Sequence, residues 1–168
     1  LEQQRDTLLK EIQGLPVNLL AEKPAPSQWS ILEILTHLYT SEKLSVGYIQ
    51  KKSQGIHQLK NAGLQQNLML PILKISQRLP LKFKAPRVVV ENTPEAMPLE
   101  TLLEKWNLLR LELKSHLEHV ADGHVHKLVY KHPVAGRLSV IQAMQFFAEH
   151  INHHKAQIKR TLKSLNKS

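Results

Sequence analysis

Cysteine is absent from the 168 residues, which excludes disulfides, thiolate metal sites and cysteine nucleophiles. Any metal bound by this protein is therefore held by nitrogen or oxygen. Aromatic residues are scarce, at 5%, and no stacking-aromatic, zinc-finger or recognition-helix pattern of a nucleic-acid binder is present. Long apolar runs are missing too. The uncharged stretch Asn61 to Ile72 is short and carries Asn61, Gln65, Gln66 and Asn67, so it does not cross a bilayer, and no charged-then-apolar export signal opens the sequence. Low-complexity sequence is also absent. These absences predict a soluble, cytoplasmic protein with no membrane partner.

What remains is ordinary globular material, 42% hydrophobic and 22% charged. A chain of this length forms one domain, residues 1–168, with a core of its own. The formal net charge of +9 invites a nucleic-acid reading. Its distribution argues against one, because Lys and Arg are spread along the chain. The densest run, Lys155, Lys159, Arg160, Lys163 and Lys167, falls where cations suit the negative end of a helix dipole. A solvated helix face and no nucleic-acid partner are expected.

Apolar positions at helical spacing (Leu1, Leu8, Leu9, Ile12, Leu15) predict a helix from Leu1 to about Ile12, stopped by Gly14 and Pro16 and followed by a loop containing Pro24 and Pro26. Ser30 and Glu33 form a Ser-x-x-Glu capping box, so a second helix begins there, with Ile31, Ile34, Leu35 and Leu38 on its buried face, continued by Leu44, Tyr48 and Ile49 until Gly55. A helix opened or kinked by Pro71 is expected from Gly63 to Leu79, then an extended connection from Pro80 to Pro98 around Val88, Val89 and Val90. Pro98 suits the first turn of a further helix. Its stripe of Leu99, Leu102, Leu103, Trp106, Leu109, Leu113, Leu117 and Val120 runs to Asp122-Gly123. His124 to Leu138 reads as a loop. Ser139 and Gln142 then open the last helix, striped by Val140, Met144, Phe147, Ile151, Ile158, Leu162 and Leu165. Long one-faced helices bury their stripes best against one another, so the fold expected is all-α, an antiparallel four-helix bundle.

Ten histidines are present, and a lone histidine beside apolar residues is ordinarily a packed, hydrogen-bonded side chain. His57, His116, His119, His124 and His126 receive that reading, or simple exposure. His150 and His154 differ. Four residues apart, they share one helix face, and burying two imidazoles within an apolar stripe costs desolvation without an evident return. A metal supplies that return, and His37, beside Leu38 at the margin of the second helix's stripe, is the third ligand expected. Three imidazole nitrogens with one position left open are the arrangement of a catalytic site. His153 also neighbours His150 on a helix. His154 is preferred because it continues the line of Phe147 and Ile151. No His-Glu-x-x-His protease motif is present. Glu33 and Gln157, one turn from His37 and His154, are candidates to orient those ligands, against the plainer roles of helix cap and exposed amide.

Three motifs now stand in order: Trp29-Ser30-x-x-Glu33-x-x-x-His37-Leu38, His132-Pro-x-x-Gly136-x-Leu138-Ser139, and His150-x-x-x-His154-x-x-Gln157-Ile158. Together they resemble the DinB/YfiT-like superfamily of metal-dependent enzymes. The resemblance implies a four-helix bundle of up-down-down-up type, a divalent ion (Zn or Ni most often) on residues matching His37, His150 and His154, and a homodimer. Relatives in such a family include bacillithiol S-transferases and mycothiol-dependent isomerases. The function expected is thus a metal-dependent transferase or hydrolase, in which the ion activates a small thiol or water for attack on an electrophilic small-molecule substrate. The competing expectation is a non-catalytic helical bundle serving as an interaction or stress-related module. No motif selects a particular thiol.

Overall fold

Two reciprocal caps set the start of the two helices that carry the histidines. The Ser30 hydroxyl accepts from the Glu33 amide at 3.1 Å while the Glu33 carboxylate accepts from the Ser30 amide at 2.8 Å. Ser139 and Gln142 repeat the device at 3.3 and 3.0 Å. Each box satisfies amides that the first turn leaves without a helical partner. In this computed structural model, which describes residues 1–64, 66, 68, 71, 89, 91, 93, 95–132 and 135–166, five α-helices and one small two-stranded sheet are present among the described residues. The helices are α1 (Glu2–Ile12), α2 (Val17–Ala21), α3 (Ile31–Ser53), α4 (Leu99–Glu118) and α5 (Val140–Leu165). The chain is mostly helical, as the periodicity requires.

α3 lies between α4 and α5, and α1 packs on α5. Their stripes meet in a core that includes Leu8, Ile12, Ile34, Leu35, Leu102, Trp106, Phe147 and Ile151, each such aliphatic side chain stabilising the fold by about 1.5–3 kcal/mol on full burial. Polar pairings tie the helices at defined heights. The Met97 amide donates to Thr36 Oγ1 at 3.1 Å near the start of α3, and His116 Nε2 meets Ser53 Oγ at 3.1 Å near its end. Lys155 and Lys159 on α5 reach Glu11 on α1 at 2.9 and 3.2 Å, so part of the basic terminal run pairs with the chain's own carboxylate.

Sequence expectation and structure part company at several places. The proline-rich loop contains α2, five residues that bury Leu20 against α3. That element is too short for apolar periodicity to register. The loop expected from His124 to Leu138 includes a hairpin instead, β1 (Tyr130–His132) and β2 (Gly136–Leu138), antiparallel with His132 opposite Gly136. Gly136 turns it with φ of 72°, a left-handed conformation open to glycine at little cost, and the hairpin packs on α3 and α5. Along α3 the buried face moves from Leu38 to Glu42, Ser45, Val46 and Ile49, leaving Leu44 and Tyr48 half-buried. The helix expected from Gly63 to Leu79 and the connection from Pro80 to Pro98 lie mostly outside the described residues. Within the second, Val89 and Glu91 are helical rather than extended, and Thr93 Oγ1 donates to the Val89 carbonyl at 2.7 Å.

The polar residue that explains α3's shifted face is Glu42. Its carboxylate is gripped by Arg110 of α4 through Nε and, at 2.9 Å, through a terminal nitrogen, and it also accepts from the Trp106 indole at 3.2 Å. Arg110 extends to Glu2 of α1 at 2.8 Å. One guanidinium therefore joins three helices, with both Glu42 and Arg110 buried. Removing one partner of such a pair strands the other's charge in the core. Arg110→Met is expected to lower unfolding free energy by about 3–5 kcal/mol, while adding Glu42→Leu to it restores most of the loss, both read from urea midpoints; equal stability of wild type and Arg110→Met would contradict the assignment.

Candidate metal centre

α3 and α5 each turn histidines toward their shared interface. His37 sits one turn beyond Glu33 on α3, and His150 and His154 stand one above the other on α5 because side chains four apart overlie on a helix. His37 and His154 are buried, and His150 is half-buried. One ring nitrogen from each of the three lies within 4.8 Å of the corresponding nitrogens of the others. Their ring centroids are 5.6 Å (His37–His150), 4.9 Å (His37–His154) and 4.7 Å (His150–His154) apart.

Hydrogen bonds fix how the rings face. His154 Nδ1 meets Gln157 Oε1 at 2.8 Å, and His154 Nε2 meets His150 Nε2 at 3.1 Å. An amide oxygen only accepts, so Nδ1 of His154 carries its proton and the Nε2 lone pair is turned inward toward His150. Gln157 thus holds one ring of the group by a hydrogen bond. Glu33 does not. Its carboxylate closes the helix cap and pairs with Lys23 at 2.7 Å, which leaves it in the plainer of its two roles. His153 stands outside the group of three, with its ring edge-on to His154 at 5.0 Å.

Burial holds these imidazoles neutral. Desolvation, with a smaller effect from His153, lowers His37 to about 4. Desolvation, aided by His37 and His153, brings His154 to about 3, and desolvation with the neighbouring histidines takes His150 well below its ordinary value. The cause is the removal of water from the charged form. Neutral imidazoles offer lone pairs, and three of them converging without a carboxylate among them form a donor set suited to a borderline divalent cation. The residues present therefore fit a metal.

Several neighbours complete the site. Trp29, 37% exposed, packs against His37 with ring centroids 5.0 Å apart. Phe146 stacks on His150 with centroids 5.5 Å apart at 18°, and His132 lies across Phe146 at 70° with centroids 4.4 Å apart. His132 is buried and lowered to about 4 by desolvation. Its Nδ1 accepts from the Ala135 amide at 2.9 Å, so the neutral ring carries its proton on Nε2, and it tightens the hairpin while packing against the site. Sequence spacing flagged the motifs holding Trp29 and His132 but gave neither a role. Phe146 had a readable signal, since it lies four residues before His150 on the same helix face.

Known proteins bear on this arrangement. The DinB superfamily model matches residues 1–158. The uncharacterized protein YuaE of Bacillus subtilis (strain 168) is 23% identical over 158 residues, covering 94% of this chain and 92% of its own length. The matched span takes in α3, the hairpin and α5 as far as Ile158, with all three converging histidines inside it. The chain belongs to the DinB superfamily.

Proposed function

We propose that this protein is a metal-dependent transferase or hydrolase in which His37, His150 and His154 hold one divalent cation, Zn or Ni, and a small thiol or water attacks an electrophilic small molecule beside it. The observation that carries the reading is the convergence of three neutral imidazoles from two helices, with one of them steered by Gln157. Such a cation supplies Lewis acidity, which makes a thiol or water nucleophilic near neutral pH. The chain's own contribution is to present uncharged lone pairs, to fix the His154 ring through Gln157, and to shield His37 with the Trp29 indole and His150 with the Phe146 ring.

The bundle direction belongs to the same reading. The heights of the pairings support an up-down-down-up path: Thr36–Met97 and Ser53–His116 match start to start and end to end, as parallel α3 and α4 require. Glu11 meeting Lys155 and Lys159, with Leu1 beside Val140 and Ile141, does the same for α1 and α5. A homodimer in the cytoplasm is part of the proposal as well. Its support is the family resemblance and Leu108 and Leu111, exposed three apart on α4, apolar surface of the kind an interface covers.

Protein purified without a histidine tag is expected to carry one equivalent of metal, and His150→Ala to carry none at unchanged helix content; full occupancy in the variant, measured by mass spectrometry, would refute the ligand assignment. Consumption of bacillithiol, mycothiol or glutathione with assorted electrophiles, present only with added Zn or Ni, separates an enzyme from a non-catalytic interaction module.

Acidity gives an independent check. His37, His132 and His154 fall from 6.5 in the unfolded chain to about 4, about 4 and about 3 in the folded one, so the unfolded state binds protons first as pH drops. Where both states hold these rings neutral there is no proton-linked cost, and stability declines as pH falls through 6.5 toward 4. Each contributes a slope of about 1.4 kcal/mol per pH unit once its unfolded form is fully protonated. Urea unfolding of the metal-free protein should show markedly lower stability at pH 5 than at pH 7, and equal values would contradict neutral burial.

A further inference from the structure

The ion pair between Glu42 and Arg110 and the histidine cluster are separated by a small cavity. Its volume is about 10 Å³, and it is lined by Leu38, Ser41 and Glu42 of α3 and by Phe147, His150 and Ile151 of α5. That space is on the scale of one water molecule, which also needs two or more polar partners. Ser41, Glu42 and His150 are the polar residues among its lining. The remaining walls are apolar, so a water there has a defined set of bonds.

Glu42 retains capacity to accept. A carboxylate offers about four lone-pair positions, and Arg110 and Trp106 supply three contacts to it. His150 has a matching need. Its Nε2 is turned toward His154, so once that nitrogen is a ligand the neutral ring's proton resides on Nδ1 and requires an acceptor. Metal-binding histidines ordinarily find one in a carboxylate, a carbonyl or a water, and that partner fixes the ring.

We propose that a water held in this cavity by Ser41 and Glu42 accepts from His150 Nδ1, which makes Glu42 a positioning residue for the metal-binding ring. The inference rests on the three-histidine reading of the site. A water suits the place better than a direct carboxylate contact. In the metal-free protein, His154 Nε2 is an acceptor, because its Nδ1 donates to Gln157, so His150 Nε2 donates to it and His150 Nδ1 is left as an acceptor. Metal loading reverses that: Nδ1 becomes the donor. A water serves both states by turning over, whereas an ionised carboxylate only accepts. The burial of Glu42 within the grip of Arg110, which is structural by itself, thereby anchors one wall of the metal site.

Two measurements test it. A high-resolution crystal structure is expected to show a water within hydrogen-bond distance of both the Glu42 carboxylate and His150 Nδ1, and a cavity without that density overturns the proposal, whether or not metal is bound. Ser41→Val fills the cavity and leaves Glu42, Arg110 and the three ligands in place. It is expected to weaken Zn affinity by about 10- to 100-fold and to shift the imidazole ¹⁵N signals of His150 while leaving those of His154, held by Gln157, where they were. Wild-type affinity in folded Ser41→Val, or equal shifts at both histidines, overturns the proposal. A wild-type protein that takes up no Zn defeats the metal reading instead, and the crystallographic water still decides the link between Glu42 and His150.

Discussion

Water exclusion around imidazole is the constraint on which this structure turns. Burial of a histidine is tolerable if the ring stays neutral, and neutrality at physiological pH converts each ring into a donor of a lone pair. α3 and α5 bury three such rings at one height of their interface. Neither helix holds all three alone, so packing of one against the other is what creates the group. Everything that fixes the two helices relative to each other therefore bears on the site: the twin capping boxes, the aliphatic core and the hairpin laid over both.

The polar interior is organised in two tiers. One is the Glu42–Arg110–Glu2 connection, which joins α1, α3 and α4 and whose partners are costly to separate. The other is the histidine group with Gln157, Trp29 and Phe146 around it. The tiers share a border at Leu38, Ser41 and Phe147.

Much of this was legible in the sequence because it follows from local rules. Ser30 with Glu33 and Ser139 with Gln142 marked both helix starts, and the spacing of His150, His154 and Gln157 placed them on one face. His37 was legible as a residue at the edge of a stripe. What escaped were elements whose reason is tertiary. α2 is five residues held down by Leu20, and β1 and β2 are three-residue strands that exist by packing on α3 and α5, so neither displays a period. The shift of α3's buried face to Glu42 and Ser45 reads as an interruption of the stripe until Arg110 is seen across the interface. Glu33 illustrates the reverse: its spacing from His37 suited a role orienting that ring, but the cap and Lys23 engage its carboxylate.

Anomalous diffraction from crystals of the untagged protein loaded with Zn, recorded at the metal's absorption edge, tests the central claim most directly. A single strong peak bounded by His37, His150 Nε2 and His154 Nε2 is the expected result. A peak elsewhere, or a loaded crystal in which His150 Nε2 and His154 Nε2 remain hydrogen-bonded to each other with no ion among the three rings, would contradict it.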